Sequence, residues 1–329
     1  MGFSRECLVF HDEDKLTDEY IQESVQLGPG GVFVKPLGIG TWAWGDRVIW
    51  GYGKGGFSDD DLKAAFDACL EGGVTLFDTA EVYGSGQSEK LLGQFVNSTD
   101  QLVIVASKFM PYPWRLRGKS LLGALRNSLE RMGLEKIDLY QIHWPFPPVP
   151  IERWMEAMAQ AIEEELIAEV GVSNYSVEQT QRAHAALAKF DIPLVSNQVE
   201  YSLVNRKVER NGLIQVCEEL SVKVIAYSPL AQGLLTGKYG VNNPPGGLRG
   251  RRVGRKRLGQ IERLVDVLRD IGKKYANKTP SQVALNWAIQ KGTIPIPGVK
   301  NLRQARENLG ALGWELYDVD VEMLDEVGL

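Results

Sequence analysis

Cysteine is scarce in this chain. The 329 residues hold three, Cys7, Cys69 and Cys217, which are far apart, odd in number and outside any metal-ligand spacing. That excludes a disulfide framework and a thiolate zinc site, and it fits reduced thiols in a reducing compartment. Long apolar runs are missing too. Nothing approaches the roughly 18 consecutive apolar residues that a membrane span needs, and residues 1–25 hold no basic segment followed by an apolar stretch. Nor is there an excess of positive charge: 37 Lys and Arg face 42 Asp and Glu, a formal net charge of −5. Without a global positive field, neither a nucleic acid nor an anionic bilayer is the expected partner, and a small molecule is. The N-terminus carries Glu6, Asp12, Glu13, Asp14, Asp18, Glu19 and Glu23, whereas transit peptides are poor in acids. The expected location is the cytoplasm, or a plastid stroma if a transit peptide has been removed.

What is present is ample material for a core, with 44% hydrophobic and 24% charged residues. Length alone allows either two ordinary domains or one large barrel. Eight short apolar, β-branched runs read as strands: Pro36–Gly40, Val74–Phe77, Leu102–Ser107, Ile137–Ile142, Ala168–Val172, Leu194–Val199, Val222–Ala226 and Thr293–Ile296. Between them, helical spacing covers Asp59–Glu71, Ser88–Val96, Ser120–Met132, Glu152–Ile167, Ser176–Lys189, Arg206–Leu220 and Pro280–Gln290. Strict alternation implies right-handed βαβ units on a parallel sheet. Eight such units close most naturally as an α/β (β/α)₈ TIM barrel with its site at the strands' C-terminal ends. An open doubly wound sheet is the structural alternative. Ahead of the first strand, Ser24–Val34 surrounds the turn-forming Gly28-Pro29-Gly30-Gly31 and reads as a hairpin that plugs the barrel's bottom. After the seventh strand comes a long loop, residues 229–257, then a helical stretch from Leu258 to Lys274. One barrel domain is expected, with residues 1–23 as an N-terminal extension.

Polar residues that can carry chemistry stand just after successive predicted strands: Asp78, Tyr83 five residues on, Lys108 and His143. In a barrel they all face one mouth. Reduction of a carbonyl leaves an alkoxide that must be protonated, and a tyrosine with a pKa of about 10 is a slow acid unless its phenolate is stabilised. A lysine beside it supplies that stabilisation, a carboxylate keeps the lysine charged and oriented, and a histidine donates to the substrate oxygen. Singly, each has an ordinary explanation as a loop ion pair, a turn tyrosine or a core histidine. As a set they describe one reaction.

From about residue 36 to 325 the chain resembles the aldo-keto reductases. The resemblance rests on Gly40-Thr41-Trp42, Asp78-Thr79-Ala80-Glu81-Val82-Tyr83-Gly84, Ala106-Ser107-Lys108, His143-Trp144-Pro145, Gly171-Val172-Ser173-Asn174, Asn197-Gln198, Tyr227-Ser228-Pro229-Leu230 and Ile296-Pro297-Gly298. It implies Asp78, Tyr83, Lys108 and His143 as a catalytic tetrad, Ser173, Asn174 and Gln198 on the nicotinamide amide, and Tyr227 stacked on its ring. Thr41, Trp42, Ser228, Pro229, Leu230 and Gly298 are expected along the rest of the cofactor. After strand eight, Lys300 and Arg303 open a helix, where cations oppose the helix dipole unless an anion is bound. By resemblance they hold a 2′-phosphate, with Gln304, Glu307 and Asn308 on the adenosine, so NADPH is the expected cofactor. No metal is required.

Gly51-Tyr52-Gly53-Lys54-Gly55-Gly56 matches a dinucleotide fingerprint, but the preceding run is short for a buried strand and Asp59, Asp60 and Asp61 would repel a pyrophosphate. It reads as a loop at the mouth. The cations Arg249, Arg251, Arg252, Arg255, Lys256 and Arg257 read as a solvated loop face, some of them within reach of cofactor phosphates, and His184 as a surface residue. Trp42, Trp44, Trp50, Tyr52, Tyr112, Trp114 and Trp144 fall in strand-end loops and predict an aromatic mouth, with Trp44, Trp114 and Trp144 against the substrate. This pattern resembles the plant and cyanobacterial pyridoxal reductase-like branch, and implies pyridoxal or another flat aromatic aldehyde as substrate. The alternative within the superfamily is a nucleotide-sensing regulatory subunit with little turnover.

Overall fold

The computed structural model describes residues 24–53, 56–246 and 253–329. The expected hairpin is present: β1 (Val25–Gln26) pairs antiparallel with β2 (Phe33–Val34). Eight strands then form one parallel sheet in chain order: β3 (Ile39–Gly40), β4 (Leu76–Asp78), β5 (Ile104–Phe109), β6 (Ile137–Ile142), β7 (Ile167–Ser173), β8 (Leu194–Glu200), β9 (Lys223–Tyr227) and β10 (Ile294–Ile296). Every neighbouring pair is parallel.

The sheet closes on itself. The Gly38 amide donates to the Pro295 carbonyl at 3.0 Å, the Gly40 amide to the Pro297 carbonyl at 3.1 Å, and Gly40 bridges Gly298. A β-carbon on Gly40 would lie 2.9 Å from the Ile296 carbonyl oxygen, so this seam needs glycine. Closure leaves no open sheet edge and makes the fold a (β/α)₈ barrel.

Inside, Leu76, Ile104, Ala106, Leu139, Ile225, Ile294 and Ile296 form one cluster, and the hairpin's Leu27, Val32 and Val34 join it from below. The Val32 amide donates to Glu169 on β7 at 2.8 Å. Gly28 turns the hairpin with φ +73°, and a β-carbon there would sit 2.5 Å from Val195. The barrel is thus plugged at one end and open to ligands only at the other.

Helices pack outside: α1 (Asp59–Glu71), α2 (Gln87–Val96), α3 (Gly118–Met132), α4 (Ile151–Glu163), α5 (Val177–Leu187), α6 (Lys207–Arg210), α7 (Leu213–Glu219), α8 (Arg255–Lys274), α9 (Pro280–Gln290), α10 (Leu302–Leu309) and α11 (Asp318–Val327). Capping boxes start three of them, Ser58 with Asp61, Ser176 with Gln179 and Thr279 with Gln282. The longer helices turn an apolar face inward; on α1 that face is Leu62, Phe66, Cys69 and Leu70. Full burial of one such Leu or Phe contributes about 1.5–3 kcal/mol.

Two helical expectations are corrected and one helix is new. The helix expected over Glu152–Ile167 stops at Glu163, because Glu165 adopts φ +57° and turns the chain into β7. The segment Arg206–Leu220 is two helices, divided where Gly212 takes φ +79°. The helix α11 was not anticipated at all.

Arg47–Trp50 forms a turn around the Asp46 carboxylate, which accepts the amides of Val48, Ile49 and Trp50 at 3.0, 2.6 and 3.1 Å. No strand therefore leads into the Gly-rich match at 51–56, as the mouth-loop reading requires. Of the basic run, Arg249, Arg251 and Arg252 lie outside the described residues, while Arg255, Lys256 and Arg257 open α8. Cys69 and Cys217 are free and buried, Cys7 lies outside the described residues, and His184 is half-buried on α5. Among the described residues no helix is long and apolar enough to cross a membrane.

Candidate active site

The sheet brings the four predicted residues to one end of the barrel. Asp78 ends β4, Lys108 stands near the end of β5, His143 follows β6, and Tyr83 opens a short 3₁₀ turn over Tyr83–Gly86. Buried Lys108 donates to Asp78 Oδ1 at 2.5 Å and to the Thr79 carbonyl at 2.8 Å, and reaches Tyr83 Oη at 3.4 Å. The Tyr83 ring meets His143 edge-on at 5.8 Å. The other Asp78 oxygen accepts Gln198 at 2.7 Å and Gln141 at 3.2 Å.

Burial sets the protonation states. It raises the Tyr83 phenol well above its ordinary value, and the Asp78 charge raises it further. Burial lowers the Lys108 ammonium, while Asp78 pulls back towards the charged form. Burial, then Lys108, pushes His143 down to about 3, so at neutral pH the imidazole is neutral. Tyr83 is therefore held as a phenol, the proton-donating form. The Lys108 ammonium makes its short bonds to Asp78 and Thr79 and a longer one to the Tyr83 phenol, the neighbour the sequence reading expects to stabilise a phenolate.

A cavity of about 930 Å³ runs from this tetrad to α10. On its wall Ser173 donates to the Gln198 carbonyl at 2.8 Å, Asn174 donates to the His143 carbonyl at 3.1 Å and Tyr227 donates to Asn174 at 3.0 Å. Asn174 adopts φ +62°, which turns its side chain off the strand into the mouth. Ser228, Pro229 and Leu230 continue this wall, and Gly298, just past the neighbouring β10, lines the cavity with them. At the far end are Lys300, Arg303, Gln304, Glu307 and Asn308. Lys300 sits 5.2 Å over the Trp50 ring and 5.5 Å over Phe57, Arg303 pairs with Glu307 at 3.0 Å, and Gln304 accepts the Lys300 amide at 2.9 Å.

Among the described residues, the buried Asn308 Nδ2 and Ser281 Oγ of this cavity find no hydrogen-bond partner. A bound adenosine, which carries donors and acceptors, suits both. With cations beside them and an amide-rich wall near the tetrad, the residues present fit a nicotinamide dinucleotide. Among the described residues no group of three or more His, Cys, Asp or Glu is placed to hold a metal ion.

The aromatic residues divide. Trp42 and Trp144 line the cavity, with Trp144 stacked on Phe146 at 5.5 Å. Trp44 does not reach it: fully buried, it packs on Phe77 and Phe95 and donates to the Val299 carbonyl at 2.9 Å. Trp114 is 72% exposed and stacks on Tyr112 outside the cavity. Thr41 lies behind the tetrad, buried, donating to the Asp78 carbonyl at 2.9 Å. Gln141 was missed; a polar residue two positions before His143 faces inward on the same strand, and that alternation is the signal that marks it.

Comparisons place these observations among known proteins. Residues 36–328 match the model of the Aldo/keto reductase family. The chloroplastic pyridoxal reductase of Arabidopsis thaliana is 42% identical over 307 residues, covering 89% of this chain and 82% of that protein. The L-glyceraldehyde 3-phosphate reductase of Escherichia coli K12 is 34% identical over 291 residues, covering 80% of this chain and 83% of that protein. A Klebsiella pneumoniae aldo/keto reductase crystallised with NADP and acetate is 28% identical, with a TM-score of 0.75 over 93% of this chain and 95% of that one. With its closed barrel and its strand-end Asp, Tyr, Lys and His, this chain belongs to the aldo/keto reductase family and is an oxidoreductase.

Proposed function

We propose that the protein reduces aldehydes to alcohols with NADPH, with pyridoxal as a favoured substrate. The carrying observation is the half-buried Tyr83, whose phenol lies 3.4 Å from the Lys108 ammonium and whose ring meets His143 where both line one cavity. The nicotinamide, when bound, supplies the hydride. His143, neutral, donates from a ring nitrogen to the substrate oxygen and fixes its direction. Tyr83 delivers the proton to that oxygen, and Lys108, held charged by Asp78, stabilises the phenolate left behind.

The 2′-phosphate reading is supported by Lys300 and Arg303 at the cavity's far end. Lys300→Ala is expected to weaken NADPH by about 1–3 kcal/mol, the scale of a charge-assisted contact, and to leave NADH nearly unchanged. Titration of both cofactors by fluorescence decides it, and equal losses would remove Lys300 from phosphate recognition.

Trp42 and Trp144 at the mouth support a flat substrate over a sugar, which would want more hydrogen-bonding side chains. In a panel followed by NADPH consumption, pyridoxal and nitrobenzaldehyde should be reduced, pyridoxal with the higher kcat/KM, and open-chain glucose poorly. If simple aldehydes react and pyridoxal does not, the vitamin assignment fails and the general reductase stands. Absence of all turnover beside tight NADPH binding would favour a regulatory subunit. Two buried free thiols support a reducing compartment, cytoplasm or plastid stroma.

A further inference from the structure

We infer that Arg115 and Glu81 form a clamp that sets the spacing between Tyr83 and Lys108, so that Arg115, remote from substrate and cofactor, is a positioning residue for proton delivery. The inference rests on the reading of Tyr83 as the proton donor.

Tyr83 needs such a device. Among the described residues its phenol makes one hydrogen bond, the long one from Lys108 at 3.4 Å. Its backbone enters a turn in which Gly84, Ser85 and Gly86 take φ of +55°, +57° and +89° in succession. For Ser85 that conformation is uphill, so the turn persists only where its surroundings determine it.

The anchor lies two residues upstream. Glu81 Oε1 accepts the Met110 amide at 2.7 Å and an Arg115 Nη1 proton, and Oε2 accepts Arg115 Nη2 at 3.0 Å. Arg115 Nη1 also donates to the Met110 carbonyl at 2.8 Å. Both ends of the pair therefore hold the peptide groups of Met110, the second residue past Lys108. The Glu81 amide adds a longer bond to the Lys108 carbonyl at 3.4 Å. The guanidinium is fixed in turn, 4.9 Å from the Phe109 ring centroid and 5.3 Å from that of Tyr112.

The loop that bears Tyr83 and the strand end that bears Lys108 are thus tied by one two-pronged ion pair. The Glu81 side chain is 9% exposed and that of Arg115 21%, which keeps solvent from loosening it. A lysine at 115 would keep the charge but lose the planar fork that grips both carboxylate oxygens and the carbonyl.

The test is Arg115→Lys, with kcat referred to the concentration of NADPH-binding sites. A reacting group displaced by about 1 Å costs up to about a hundredfold, so a fall of about tenfold or more in kcat is expected, with NADPH Kd and substrate KM within about twofold. A looser Tyr83–Lys108 contact leaves the phenolate less stabilised. The alkaline limb of the kcat profile should therefore move to higher pH. If kcat per binding site and the pH profile both match wild type, the clamp only stabilises the fold and the inference is overturned. Glu81→Gln, which keeps the acceptor for the Met110 amide, serves if the lysine variant does not fold and should give the same kcat loss and pH shift. Tyr83→Phe run alongside separates the two ideas: full activity there defeats the proton-donor reading, whatever Arg115 does.

Discussion

Tyr83→Phe is expected to lower kcat by at least about a hundredfold, the scale on which a positioned general acid acts, and to leave NADPH affinity within about twofold. The substitution removes one hydroxyl and keeps the ring that packs against His143 and Trp42. Since burial and Asp78 hold the phenol protonated, the loss should be level across neutral pH, with no recovery on acidification. Steady-state turnover with cofactor titration checks it. Retention of more than about a third of wild-type kcat would take Tyr83 out of the mechanism.

Asp78→Ala should be the most destabilising single change in the site. Lys108 is fully buried, and with Asp78 removed its ammonium keeps the Thr79 carbonyl but no opposite charge at bonding distance. Breaking a buried pair in this way costs about 3–5 kcal/mol. The sign with pH follows from the lysine. Burial already lowers its pKa, and loss of Asp78 lowers it further, so the unfolded state binds more protons than the folded one. Stability of the variant therefore rises with pH, and its deficit in urea unfolding should narrow as the pH approaches the ordinary lysine pKa of about 10.4. Asp78→Asn combined with Lys108→Met, which removes both charges, should recover most of the loss. A double variant as unstable as Asp78→Ala would mean that the pair's charge is not what matters.

Where the sequence was read correctly, the information was local. The helices Asp59–Glu71 and Pro280–Gln290 were anticipated to the residue, because Ser58 with Asp61 and Thr279 with Gln282 announce their starts and apolar spacing fixes their length. Asp78, Tyr83, Lys108 and His143 were legible as a group because each stands at or soon after a strand's C-terminal end, and a closed barrel turns adjacency in the sheet into adjacency in space. What failed lacked a local mark. Glu165 takes a left-handed conformation with no glycine to announce it, so the preceding helix was drawn too long. Loop residues carry no period, so Trp44, Trp114 and Trp144 looked alike in sequence, yet one lies in the core, one faces solvent and one lines the site. Gln198 was assigned to the nicotinamide by resemblance alone, while its bond to Asp78 depends on a contact across 120 positions that no short motif encodes.

The seam between β3 and β10 bears on how the molecule is made. Its glycine bonds join the first and last strands of the barrel, and the Trp44 indole bridges to Val299 across 255 positions. Loop entropy must be paid before so distant a contact returns anything, which places this closure among the last events of folding. On the ribosome, the first barrel strand waits with an open edge until the eighth, Ile294–Ile296, has been synthesised. The Trp44 indole acquires its Val299 partner only at that moment, so the bond it makes is a mark of the closed barrel and of no earlier state.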